Sequence, residues 1–205
     1  MRWTERPARL PLLPLAALEA RAPGLAVWLA GLASEAGLLV AVEAAARETA
    51  LAHLGRHEDE RGGLLLGEVY AAEQDPATSR VLRITQAVPA EVYAATGVSL
   101  RMASGVWEAA RARLGQDELV VGWFHSHPGL GAFFSAADRR TQRAFFAHPY
   151  SAGWVVDPLR GESAWFIGAD AAPPAGVAHR TAGDGGIHPP PDIEVPDTES
   201  FPGCT

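Results

Sequence analysis

An apolar run rich in Val and aromatics, residues 119–124, leads straight into His125-Ser126-His127 and is halted by Pro128. The run reads as a buried strand. Side chains on a strand alternate faces with period two, so the two imidazoles project to one side. They form a natural metal-binding pair. Behind Pro128 a Gly-rich loop turns the chain so that Asp138 can supply a third ligand. Two histidines and a carboxylate with a fourth position left open is the donor pattern of a hydrolytic zinc site, not of a structural one. A bare His-x-His is a weak signal; the run with Pro128, Ser135 and Asp138 in place is far more specific.

The surrounding sequence predicts strands mixed with helices. Strands are expected at 38–42, 62–70, 80–87, 153–156 and 164–167. Helices are expected at 43–54, which is Ala-rich and stops near Gly55, and at 136–146. A further helix at 99–114 carries Met102, Val106, Ala110 and Leu114 on one stripe. The expected class is α+β, of a three-layer α/β type. With 205 residues and 48% hydrophobic content, the chain can bury one proper core. Residues 1–36 read as an accessory N-terminal segment with one or two short helices, and 37–170 as the catalytic domain. Residues 171–205 turn to Pro, Gly and Asp, a composition expected to stay flexible.

Composition narrows the function further. The net charge of −7 and the absence of a dense basic run argue against nucleic acid as a partner. Every basic residue is Arg, which a GC-rich genome explains. Cys204 stands alone, which excludes a disulfide or a Cys-ligated zinc and suits a reducing cytoplasm. Apolar runs at 10–18 and 25–32 are too short for a membrane span and are interrupted by Pro11, Pro14 and Pro23. The expectation is a soluble, cytoplasmic protein with no membrane partner.

The spacing His125-x-His127-Pro128, six residues, Ser135, two residues, Asp138 resembles, without a gap, the signature of the JAMM (MPN+/Mov34-PAD1) zinc metalloproteases. Glu60-Arg61-Gly62-Gly63-Leu64-Leu65-Leu66-Gly67 is similar to that family's upstream form, Glu-x-x-Gly-x-Leu-x-Gly. Gly122-Trp123-Phe124 and Val155-Val156-Asp157-Pro158 resemble the proteasome-lid deubiquitinase branch, and the likeness covers about 38–169. It implies a curved mixed sheet flanked by helices, cytidine-deaminase-like in architecture. It also implies one Zn2+ per chain on His125, His127 and Asp138.

From the same resemblance Glu60 is the general base, although Glu58 rivals it in the run His57-Glu58-Asp59-Glu60. Ser135 would donate to the oxyanion, while Ser-x-x-Asp before a helix also reads as a near capping box. Trp107 and Trp123 are expected in the core, and His53, His57, His148, His179 and His188 carry no role. The implied activity is isopeptidase or peptidase cleavage at the C-terminal tail of a ubiquitin-like or sulfur-carrier-like protein. Residues 88–96 would wall the groove for such a tail. Two alternatives stay open: a metal-free scaffold in a complex, or a zinc hydrolase of ordinary peptides or small amides. Oligomeric state leaves no mark in the sequence.

Overall fold

A computed structural model describes residues 10–31, 37–55, 57–90, 104–180 and 187–188. In chain order the elements are β1 (Leu13–Pro14), α1 (Leu18–Arg21), α2 (Leu25–Gly31), β2 (Leu39–Glu43) and α3 (Ala44–Leu54). Then come β3 (Gly62–Ala71), β4 (Ser79–Pro89), α4 (Ser104–Arg113), β5 (Leu119–Ser126) and α5 (Ala136–Phe145). The last are β6 (Ala152–Asp157), β7 (Glu162–Ile167), β8 (Gly176–Arg180) and β9 (Ile187–His188).

The strands form one mixed sheet in the order β7-β6-β5-β3-β4-β2-β8-β9, with β1 beside the far end of β3. Neighbours β5/β6, β4/β2 and β2/β8 run parallel, while β5/β3, β3/β4 and β6/β7 run antiparallel. β3 is the spine. Every one of its residues is buried, so it reads as a continuous apolar run instead of an alternating one.

Alternation along β3 sorts the core into two faces. Leu65 and Val69 point to one side, where they meet Ala46, Ala50, Leu51 and Leu54 of α3. Leu64 and Leu66 point to the other, against Val106 and Ala110 of α4 and Phe134 and Phe146 around α5. Tyr70, on that second side, joins a smaller cluster with Leu18, Ala22 and Leu25. The result is the expected α+β arrangement, a sheet between two helical layers.

One expectation changes. Within the stretch expected to be a flexible tail, Gly176–Arg180 is β8, pairing in parallel with β2 from Leu39↔Gly176 to Glu43↔Arg180. Its Pro- and Gly-rich approach masks a strand whose Ala178 and His179 are buried. Composition describes the connection, and the sheet edge supplies the order. The described part of the N-terminal segment, in turn, contributes buried Leu12, Leu18, Ala22 and Leu25. Residues 99–103 of the expected helix and 91–96 of the expected groove wall lie outside the described residues. No helix among the described residues is long and apolar enough to cross a membrane.

Candidate metal centre

β5 carries His125, and His127 follows its last residue. The parallel partner β6 continues the ladder past the strand end, where His127 N donates to Val156 O at 2.8 Å. The indole of Trp123 stacks flat on His125, with centroids 4.4 Å apart and an interplanar angle of 4°. Its Nε1–H reaches Gln142 Oε1 at 2.7 Å. Gln142 lies on α5, fully buried, and its amide nitrogen donates to Phe146 O and Ser151 O. Trp123 therefore sets the His125 ring and ties α5 to β5. Asp138 lies one turn before Gln142 on the same stripe.

Ser135 caps α5 in a full capping box. Its Oγ accepts from Asp138 N at 3.2 Å, and its own N–H donates to Asp138 Oδ2 at 2.7 Å. The box turns the Asp138 carboxylate toward the histidines. His125 Nε2 lies 3.3 Å from Asp138 Oδ1, His127 Nε2 lies 3.4 Å from Oδ2, and the two Nε2 atoms are 3.2 Å apart. All three residues are buried. Ligands bound to zinc at about 2.0–2.1 Å in a tetrahedron stand about 3.3 Å from one another. The two imidazole nitrogens stand near that edge length, each faces a different oxygen of Asp138, and one donor atom from each residue lies within 4.8 Å of the other two, so the cluster suits zinc in donor chemistry and proximity.

Electrostatics agree in part. Burial lowers the pKa of His125, against the pull of Asp138 and, less strongly, of Glu60. Burial also acts to lower that of His127, but Asp138 and Glu60 outweigh it and the net direction is up. Asp138 is driven down: burial opposes this, and the contacts with His125, His127 and Ser135 prevail. This environment favours a neutral His125 and an ionised Asp138, two of the forms a cation requires, whereas Asp138 and Glu60 help His127 keep a proton that a bound cation would displace.

Glu60 arrives from the other neighbour of β5. Gly62 pairs with His125, and Ser126 N donates to Arg61 O at 2.8 Å while Arg61 N donates to Ser126 Oγ at 2.9 Å. One step further along this antiparallel register brings Glu60 opposite His127, on the face that both imidazoles use. Its charge acts on both rings. Glu58 is exposed, whereas Glu60 is half-buried. A side chain at Gly63 would meet Val88 O at 2.2 Å and the Phe124 ring at 2.7 Å. Only glycine lets β3 approach this closely.

Two positions given no role in sequence prove central to the geometry. Gln142 is the first; its signal was a polar residue four positions after Asp138, on the same helix stripe. The second is Asp157, fully buried at the end of β6. Its Oδ1 accepts from the N–H groups of Gly129, Leu159 and Arg160, and its Oδ2 from Gly131. Burial pushes its pKa up, but these donors overcome it and hold the carboxyl below its ordinary range. Asp157 thereby pins the loop between His127 and Ser135, whose Gly129 and Gly131 adopt φ of +74° and +93°. Leu130, Phe133 and Leu159 stand exposed on the pinned loops, Phe133 with its ring edge-on to His127.

The region that carries this cluster also matches a known family. The family described as prokaryotic homologs of the JAB domain matches residues 40–168. The ubiquitin carboxyl-terminal hydrolase RPN11 of Saccharomyces cerevisiae is 36% identical over 103 residues, 48% of this chain and 31% of that protein. The 26S proteasome non-ATPase regulatory subunit 14 of Drosophila melanogaster is 38% identical over 103 residues, again 48% of this chain and 31% of that one. The chain thus matches about a third of the length of these curated relatives. Among solved structures, protein DSY2949 from Desulfitobacterium hafniense superimposes with a TM-score of 0.54 at 19% identity, covering 71% of this chain and 95% of that one. That likeness bears on the fold alone.

Proposed function

This chain belongs to the family of prokaryotic homologs of the JAB domain, and from that premise we propose that it is a zinc-dependent isopeptidase or peptidase. Its substrate is the amide at the C-terminal tail of a ubiquitin-like or sulfur-carrier-like protein. The observation that carries the reading is the convergence of His125, His127 and Asp138, with separations of 3.2–3.4 Å between their facing ligand atoms. A structural zinc site would close with a fourth protein ligand, and among the described residues the cluster holds three.

His125, His127 and Asp138 would hold the metal, which would polarise the scissile carbonyl and lower the pKa of an attacking water to about 7. Glu60 takes the proton that the water gives up and later passes it to the leaving amine. Ser135 has a double duty. Its oxygen accepts the Asp138 N–H, and its hydroxyl proton, which also supports the Asp138 carboxylate, turns to donate to the oxyanion of the tetrahedral adduct. Trp123 and Gln142 hold the ligands in place, and Asp157 shapes the loop beside which the tail must run. The relatives named as a ubiquitin hydrolase and a proteasome subunit favour a protein tail over a small amide. The isopeptidase reading and the cytoplasmic setting both belong to this proposal.

The test is a cleavage assay on ubiquitin-like and sulfur-carrier-like proteins fused through their C-terminal tails to an amine leaving group. Activity should vanish with chelator and return with zinc. Glu60→Gln should bind zinc stoichiometrically and lose at least a hundredfold in kcat, whereas Glu58→Gln should behave as wild type. A protein that purifies without zinc and refuses it would leave only a scaffold. A zinc-loaded enzyme that turns over short peptides while sparing every fusion would move the substrate to ordinary peptides.

A further inference from the structure

On α5, directly after Asp138, the chain places Arg139, Arg140 and Arg143. At 100° per residue the three share one stripe, and all are exposed. Arg111 of α4 is exposed too. It lies one turn from Trp107, whose ring stacks on Phe146 at the end of α5, which brings Arg111 to the α5 side of its helix. Among the described residues none of these four guanidinium groups pairs with a carboxylate. Arg139 touches only the main-chain carbonyl of Asp170, at 3.5 Å.

This patch runs against both helix electrostatics and the balance of the molecule. Like charges three and four residues apart repel along a helix, and Arg139, at the end of the first turn of α5, gains nothing from the macrodipole, which favours only Arg143 and Arg111 in the last turns of their helices. The chain as a whole carries −7. Four cations gathered on one side of an acidic protein, beginning beside a ligand of the metal centre, therefore make a face complementary to negative charge. Arg143 lies about 7.5 Å along the helix axis from Asp138.

We propose that the arginine stripe of α5, flanked by Arg111, is the docking face for an acidic segment of the protein whose tail enters the metal centre. The proposal rests on the hydrolase reading for the identity of that partner. An acidic protein surface fits better than nucleic acid, because the remaining surface of this chain would repel an extended polyanion. Docking here also selects substrates: a neutral or basic modifier would present the same tail with a weaker hold.

Fluorescence anisotropy with the full chain tests it without catalysis, using labelled dodecamers of alternating Glu-Gly and of alternating Gln-Gly. The acidic peptide should bind at least tenfold tighter than its neutral twin, and its affinity should fall steeply between 20 and 200 mM salt, as charge pairing does on the order of a Debye length of about 10 Å. The triple variant Arg139→Gln/Arg140→Gln/Arg143→Gln should erase the difference. If that variant folds poorly by circular dichroism, the single exposed change Arg140→Gln should reduce it measurably. Equal binding of both peptides, an undiminished preference in the variants, or tighter binding of a DNA duplex of equal length would each overturn the proposal. Acidic-peptide binding by a chain that cleaves no fusion would uphold this face and sink the hydrolase reading; cleavage without such binding would do the reverse.

Discussion

At the scale of single residues, Ser135 separates structure from chemistry most cleanly. Its oxygen caps α5 while its proton can turn to another acceptor, so one side chain serves the helix and, in the proposed mechanism, the oxyanion. Glycine is a passable N-cap, a few tenths of a kcal/mol short of serine, whereas alanine costs about 1 kcal/mol. Ser135→Gly should therefore melt within a degree or two of wild type. Its kcat should nevertheless fall about 10²–10³-fold, the usual effect of removing one oxyanion donor. A fall in kcat no larger than the loss of stability would reduce Ser135 to a cap. The ligand triplet was legible because its spacing is local to one strand, one turn and one helix start. Glu60 was legible only through the family resemblance, since its approach to His127 depends on the register between β3 and β5, which no local pattern encodes.

Elements show the same division. β3, β5 and β6 announce themselves as apolar runs because both faces of each are covered. β8 does not, since a five-residue strand behind Pro173 and Pro174 takes its order from β2. Its burial leaves a measurable trace in His179, whose pKa is pushed down to about 4 by desolvation and by the nearby charge of Arg47. A depressed histidine makes the folded state bind fewer protons than the unfolded one. Stability is then full above pH 6.5 and lost as pH falls toward about 4, by up to about 3 kcal/mol. Urea melts of wild type and His179→Gln should diverge in that slope; parallel curves would put β8 outside the cooperative fold. Asp157 tests the loop end of β6. In Asp157→Asn an amide NH2 replaces one accepting oxygen and faces an N–H, at a cost of about 1–3 kcal/mol. Hydrogen exchange at residues 129–132 should quicken while zinc uptake persists, because His127 N is anchored separately to Val156 O. Loss of zinc along with the loop would show that Asp157 supports the ligands themselves.

The whole molecule is stitched by a row of alternating charges across the sheet face that carries α4 and α5. Arg180 and Arg83 flank Glu43, Arg83 and Arg21 flank Glu68, and Arg21 reaches on to Asp117. The row joins β8, β2, β4 and β3 to the N-terminal α1, and so spans the elements that sequence had assigned to accessory segments. Its members are not equal. Glu68 is only 11% exposed at its side chain and also accepts the Tyr70 hydroxyl at 2.6 Å, whereas Arg21 is 38% exposed. Removing one partner of a buried pair strands the others, at about 3–5 kcal/mol, while an exposed pair contributes about 0.2–1 kcal/mol. Glu68→Leu should thus destabilise several-fold more than Arg21→Ala in urea melts. The small effect at Arg21 would mean that α1 is held by the burial of Leu18, Ala22 and Leu25 and that its ion pair only sets its register. Equal losses would instead make the salt link the clamp, and raising the salt concentration should then release the N-terminal segment before the sheet unfolds.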